Sequence, residues 1–373
     1  MNCKIALILN GDRPLSTYPS VYNTANLLTQ NGYAVTLFFP ADMKVDYEVK
    51  DIEILKFKRT KPVLIGIFRA LLGHARKYAL LISFQAEELI ASGLVNIIYK
   101  IPFVYFSLEI VDFDQIKTIK DKIKKYFEIF FNKRASFTVI QDEIRKRLIK
   151  QVNSLDESHL FCIPNSYIGT LKGKTTYLRD KYKISSDKII ILYAGGIEAW
   201  AIDRTLIESV CEWDNKYILV LHGWSRDGYL QTLNSYIDKI NTPKKKIYIS
   251  LGILNEEEYG ELVTSADIGL VWYKIELPNN VAKMGLSSGK LASFLRCGLP
   301  VIVPSYLEGL NEMIPKYQFG ILANSESEIK NAAVSIMENY QVYRNNAFKF
   351  YLEYLDFEKI FTNVLRQIRI LLQ

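Results

Sequence analysis

The feature that most constrains this chain is a series of short, unbroken apolar runs, each stopped by turn residues and separated by helical stretches. Lys4 to Leu9 ends in Asn10-Gly11-Asp12, and Tyr33 to Phe39 ends at Pro40. Leu80 to Phe84, Phe103 to Phe106 and Phe137 to Ile140 follow. Tyr22 to Gln30 and Glu143 to Gln151 have helical spacing, the former closed by Asn31-Gly32. Short runs that do not alternate with polar residues predict strands buried on both faces. Between helices, that is the pattern of a parallel sheet in an α/β domain.

The pattern breaks and then restarts. Cys162-Ile163-Pro164-Asn165-Ser166 ends a short strand, and a Gly-, Lys- and Thr-rich stretch runs to about Lys183. That stretch reads as an interdomain linker. Beyond it, strands are predicted at Ile189–Tyr193, Tyr217–Leu221, Ile247–Leu251, Ile268–Trp272 and Pro300–Val303. The stretch from Asn345 to Gln373, free of Gly and Pro, reads as helix. The expected architecture is α/β, two Rossmann-like doubly wound domains facing a central cleft. The domains expected are 1–165, 166–345 and a C-terminal helix over 346–373. At about 150 residues per domain, 373 residues fit two. Ligands of such sheets lie at the carboxyl ends of the strands, so the cleft is the default site.

Composition narrows the function. Four scattered cysteines, with no C-x-x-C pair, exclude a disulfide scaffold and fit a reducing cytoplasm. Three isolated histidines give no metal centre, so no metal is expected. The net charge of +7 suits an anionic partner without choosing one. No apolar run approaches the roughly 20 residues that span a bilayer, and the N-terminal run is too short for a signal-peptide core. No recognition module for nucleic acid is evident.

Candidate residues cluster at strand ends. Gly195-Gly196 follows a strand and precedes a helix, where a phosphate can approach the backbone. Its bland reading is steric. Ser287-Ser288-Gly289-Lys290 supplies hydroxyls, free N–H groups, a helix dipole and an ammonium, a set that suits a pyrophosphate. Its bland reading is a serine-capped helix. Neither G-x-G-x-x-G in the first domain nor G-x-x-x-x-G-K-[ST] is present.

Several of these segments together resemble the GT-B glycosyltransferases, in particular the glycosyltransferase family 4-like group. Ser287 to Lys290 matches an S-x-x-K loop, and Gly298-Leu299-Pro300-Val301-Ile302 matches a G-x-P-V-[IV] strand. Ile163-Pro164-Asn165-Ser166, Tyr193-Ala194-Gly195-Gly196, Leu221-His222-Gly223 and Ser265-Ala266-Asp267-Ile268 occur in the family's order. The resemblance covers Cys162 to about Ala323. It implies a nucleotide-diphosphate sugar donor in the C-terminal domain and an acceptor in the N-terminal domain. It further implies retention of configuration, no bound metal, and a last helix that packs back on the first domain. The chain departs from the family in three ways. The spaced acidic pair before the G-x-P-V strand is absent, Arg204 is only the nearest counterpart of the usual basic residues, and Glu109 stands where many members have histidine.

The remaining candidates follow from position. Asn10, Gly11 and Asp12 end the first strand, and Glu109 and Asp112 lie past a later one. A carboxylate there could deprotonate or orient an acceptor hydroxyl, or merely cap a turn. Asp142 reads as an N-cap. His222 is expected near the nucleotide, and Glu308 either at the ribose or on a surface turn. Ile116 to Phe131 is basic and amphipathic. It reads either as a helix on an anionic bilayer or as a core helix with a solvated lysine face.

The expected activity is therefore a glycosyltransferase of hexosyltransferase class acting on a glycan or lipid-linked acceptor in surface polysaccharide synthesis. Glu109 and Lys290 would be catalytic, and no bound cofactor is expected. Its expected location is the cytoplasm, or the inner face of a membrane as a peripheral protein. The rival readings are a nucleotide-sugar epimerase of the same fold and a non-catalytic nucleotide-sugar binding subunit.

Overall fold

The computed structural model describes residues 3–47, 51–225, 228–241, 244–274 and 282–373. The chain divides into two units, Met1–Ile168 with Phe357–Gln373, and Gly169–Asp356.

The first unit is built on a seven-stranded sheet. Its strands are β1 (Lys4–Ile8), β2 (Ala34–Pro40), β3 (Ile52–Phe57), β4 (Leu80–Ser83), β5 (Phe103–Phe106), β6 (Thr138–Ile140) and β7 (Leu160–Cys162). They lie in the order β3-β2-β1-β4-β5-β6-β7, and every pairing is parallel. Alternate residues feed opposite cores. Ile5 and Leu7 join Leu37, Phe39 and Ile82 on one face. Ala6 and Ile8 join Phe38, Leu81 and Phe103 on the other. This two-sided burial is why the runs show no polar alternation.

The second unit repeats the design with β8 (Ile189–Gly196), β9 (Tyr217–Trp224), β10 (Ile247–Leu251), β11 (Ile268–Leu270), β12 (Val301–Pro304) and β13 (Gly320–Ala323). The order is β10-β9-β8-β11-β12-β13, again parallel throughout. In both sheets the strand order reverses beside the first strand, between β1 and β4 and between β8 and β11. A doubly wound sheet leaves its ligand crevice at that reversal. The ends of β1 and β8 are thus the positions that the topology offers for binding.

Three sequence expectations are corrected. The stretch from Ser166 to Lys183 is not a free linker. From Gly169 onward it belongs to the second unit, where the Leu171 N–H donates to the Arg296 carbonyl at 3.0 Å. Arg179 and Lys174 both pair with buried Asp267, and Tyr177–Tyr182 is helical. Polar composition hid this because the anchors are polar. The second correction is the C-terminal helix, which is two helices, Tyr340–Tyr354 and Phe357–Leu371. The break needs neither Gly nor Pro. The Leu355 and Asp356 N–H groups both turn back to the Tyr351 carbonyl, and the Phe357 N–H donates to Tyr167 instead. The last helix packs on the helix Pro19–Gln30 and on β7. Third, strands β3 and β13 went unread. Both are sheet edges: in β3 the exposed Glu53 and Lys56, on opposite faces of the strand, interrupt the apolar run, and β13 is only the four residues Gly320–Ala323.

Candidate functional site

In the second unit the chemistry gathers at the end of β8. Gly195 and Gly223 are paired residues of β8 and β9. A Cβ at Gly223 would lie 1.7 Å from the Gly195 carbonyl oxygen, so glycine is required for the strand ends to approach. Over this bare backbone lies Lys290. A Cβ on Gly195 would meet its Cε at 3.3 Å and its Nζ at 3.6 Å.

The Lys290 ammonium is held by aromatic faces. Nζ is 3.7 Å from the centroid of the Tyr193 ring and 4.1 Å from that of Tyr273. Among the described residues its hydrogen-bond acceptor is the Trp272 carbonyl, at 3.5 Å, and no carboxylate pairs with it. Desolvation drives its pKa well below the usual lysine value. The two phenols are themselves buried. Burial raises Tyr193 well above the usual value and pushes Tyr273 up to about 12, so both stay neutral. The Tyr193 hydroxyl donates to the Gly196 carbonyl at 2.8 Å, fixing the loop. A Cβ at Gly196 would meet only the Glu198 side chain, in ordinary contact at 3.9 Å.

Lys290 stands in the first turn of the helix Gly289–Arg296. Ser288 caps that helix, its Oγ accepting from the Leu291 N–H at 3.3 Å. The first helical bond runs from the Ala292 N–H to the Ser288 carbonyl, so the N–H groups of Gly289 and Lys290 lie ahead of it. The capping role and the phosphate role of Ser288 are therefore compatible. Ser287 is turned away, donating to the Met284 carbonyl.

The other donor-side candidates divide. His222 is buried, with Nδ1 3.1 Å from the Ser250 hydroxyl and its ring 6.1 Å from that of Tyr259. Tyr259 reaches Ser293, one turn beyond Lys290. Desolvation, with the nearby Lys181 charge, lowers the His222 pKa to about 4. It is a neutral packing and hydrogen-bonding group at pH 7. Arg204 is not brought to Lys290: it is exposed, paired with Glu208 and stacked over Tyr236. Glu308 follows β12 and faces Lys283 at 3.9 Å.

In the first unit the end of β1 is tied by Arg59. Its Nε donates to Asn10 Oδ1 at 3.0 Å, Nη2 to the Gly11 carbonyl, and Nη1 to Asp42 at 2.8 Å. The Asn10 N–H donates to Glu88, whose carboxyl is fully buried. Burial raises the Glu88 pKa to about 8. Asp12 accepts from the Tyr18 hydroxyl at 2.8 Å. Past β5, Glu109 is exposed, 4.0 Å from the buried Arg145 guanidinium. It borders a cavity of about 260 Å³ that Gln85, Glu87, Lys124, Lys125 and Glu128 also line. Asp112 caps the turn at Phe113, the bland alternative for an acid in that place. Asp142 caps the helix Glu143–Asn153, as its position predicts.

Residues 219–358 match the family model "Glucosyltransferase 3-like, C-terminal domain". A search of the curated proteins finds no match. Among solved structures, HepE of Anabaena in complex with UDP-glucose is 14% identical, with a TM-score of 0.78 over 98% of this chain and 99% of that one. Sucrose-phosphate synthase of Thermosynechococcus elongatus is 14% identical, at 0.76 over 99% of both chains. A putative UDP-N-acetylglucosamine 2-epimerase of Listeria monocytogenes is 12% identical, at 0.65 over 99% and 96%. The fold is GT-B.

Within this GT-B chain, the glucosyltransferase 3-like segment contains Lys290, its helix and Tyr273. The sequence reading found Lys290 and Gly195 through glycine and lysine beside strand ends. It missed Tyr193 and Tyr273 as a cation cage, although Tyr193 lies in a quoted motif. It missed Arg59 and Glu88 altogether, since nothing local marks a residue whose partner is 49 or 78 positions away. Among the described residues no three His, Cys, Asp or Glu side chains gather as a metal site would need.

Proposed function

We propose that the chain transfers a hexosyl group from a nucleoside-diphosphate sugar to a hydroxyl acceptor, with the second unit taking the donor. One observation carries this reading: a lysine with no carboxylate partner among the described residues, caged by Tyr193 and Tyr273 over the bare backbone of Gly195. A desolvated ammonium is poorly compensated by ring faces and a carbonyl, and an anion is its natural complement. As the sugar C1–O bond breaks, negative charge grows on the leaving diphosphate. Lys290 and the Gly289 and Lys290 N–H groups are arranged to stabilise that charge.

The HepE complex with UDP-glucose supports UDP as the base carrier. The family resemblance supports retention of configuration. Glu109, beside the Arg145 charge, orients the acceptor hydroxyl, and Asn10 to Asp12 supply further polar contacts. We assign the acceptor to surface glycan synthesis and the enzyme to the cytoplasm or the inner face of a membrane. Nucleic acid has no part in this reading.

The test is a thermal-shift series with UDP, GDP, ADP and CMP and their sugars, because a ligand bound by the native state alone raises apparent stability. UDP or a UDP-sugar is expected to raise the melting temperature by a few degrees, and Lys290→Ala to abolish the shift. No shift with any nucleoside diphosphate at millimolar concentration overturns the donor assignment. The similarity to a putative 2-epimerase favours one second reading. Incubation with donor alone separates the two: an epimerase converts the sugar without an acceptor, whereas a transferase needs one.

A further inference from the structure

The helix Ile119–Asn132 is inside out for a core element. Its buried face is mostly polar: Lys125, Glu128 and Asn132 are buried, with Lys125 Nζ 3.1 Å from Glu128, and Phe131 is the one apolar side chain buried with them. Its apolar stripe faces outward. Ile119, Ile123, Tyr126, Phe127 and Phe130 are between 43% and 79% exposed. At about 100° per residue these five side chains span an arc of about 100°. Exposed Lys120 borders that arc on one side, and exposed Lys122 and Lys133 border it on the other. The Arg134 guanidinium stacks on the Phe130 ring at 3.5 Å, at the end of the stripe. The reading of this segment as a core helix with a solvated lysine face is thereby corrected.

This arrangement is costly unless something covers it. Exposed apolar surface of this extent marks an interaction site, and the neighbouring helix Ala86–Tyr99 adds exposed Ile97 and Ile98. Three features select the occupant. The stripe is convex, carried on one helix, and rimmed by lysines and an arginine. That is the form of an in-plane amphipathic helix on an anionic surface, with apolar groups in the acyl boundary and ammonium groups at the phosphates. Among the described residues no helix is long and apolar enough to cross a membrane.

We infer that the helix Ile119–Asn132 seats the first unit on an anionic lipid bilayer. The opposite face of the same helix lines the 260 Å³ cavity with Asp121, Lys124, Lys125 and Glu128. Docking therefore holds a polar, carboxylate-rich pocket about one helix diameter, about 10 Å, from the acyl boundary, within reach of the head group of a lipid-linked polyhydroxyl acceptor. What the docking serves rests on the transfer reading above; the docking itself does not.

The experiment is flotation of the full chain with phosphatidylcholine vesicles and with vesicles containing phosphatidylglycerol. The wild type is expected to bind the anionic vesicles about tenfold or more tightly than the neutral ones, and less so at high salt. Ile123→Glu with Phe127→Glu is expected to abolish binding. Both side chains are exposed and outside the cavity lining, so the melting temperature and the donor-induced thermal shift should be unchanged. Equal flotation of wild type and variant overturns the inference, as does absence of the wild type from anionic vesicles. A wild-type dimer without lipid that the double variant converts to monomer also overturns it, since the stripe is then an interface between copies. Vesicle binding without any nucleotide-induced shift would instead count against the transfer reading and leave the docking standing.

Discussion

At the scale of residues, three buried ionisable groups make opposite pH signatures. Lys290 has a folded pKa well below its unfolded value. Between those two values the unfolded chain holds a proton that the native one has released, so stability rises with pH. Below the folded value the desolvation cost is fully present. Lys290→Met should therefore raise the melting temperature near pH 7, with the gain shrinking toward pH 10. The same variant should weaken UDP binding by about 10- to 100-fold, the range for a charge-assisted contact. Titration calorimetry in buffers of different ionisation enthalpy adds a check: wild-type binding takes up a proton at pH values above the folded pKa. Proton uptake that persists in Lys290→Met would assign it to another group.

Glu88 runs the other way. Its pKa rises from 4.5 to about 8 on burial, so the native state holds a proton that the unfolded state has lost across that window. Stability then falls as pH climbs from about 4.5 to 8. Glu88→Gln retains an oxygen for the Asn10 N–H and removes the titration. Melting curves at pH 5 and 8 should show the variant gaining on the wild type at the higher pH. His222, depressed from 6.5 to about 4, loses stability as pH falls through that interval. Its neutrality at pH 7 explains why it should not appear in a pH profile of nucleotide binding between 6 and 8.

At the scale of elements, what could be read from the sequence was what a single element encodes. Strands β1, β5 and β8 were legible because their residues are apolar on both faces and a Gly or Pro turn signal lies at one end of each. Lys290 was legible because a capping serine and a helix start are local. The orientation of Ile119–Asn132 was not, because periodicity defines a stripe but not which way it faces. Here the contact with the neighbouring helix decides. A Cβ on Gly93 would lie 2.0 Å from the Phe131 ring, so this ring keys the helix onto Ala86–Tyr99 through the missing side chain. Gly93→Ala should destabilise the protein by about 1–3 kcal/mol, the range for overpacking. Pairing it with Phe131→Leu should recover part of that loss in denaturant melts. Additive losses would mean that the crossing is not set by this contact.

At the scale of the whole molecule, the first unit is discontinuous: the chain completes its sheet by Cys162 and returns at Phe357. The returning helix is structural for that unit. Phe357, Phe361, Val364, Leu365 and Ile368 are buried in the core that also holds Ile5, Leu7 and Val21. The spacing of these residues made an amphipathic helix legible, but only the tertiary contact with Pro19–Gln30 says which core it closes. Each such side chain contributes about 1.5–3 kcal/mol on burial, so five together match the entire stability of an ordinary domain. Truncation after Asp356 should therefore unfold the first unit rather than trim it. The second unit keeps all of its own core and should retain its melting transition and the nucleotide-induced shift. Calorimetry of the truncated chain checks this. A first unit that still melts cooperatively at the wild-type temperature would show that the returning helix contributes little. Loss of both transitions would show that the two units do not fold independently.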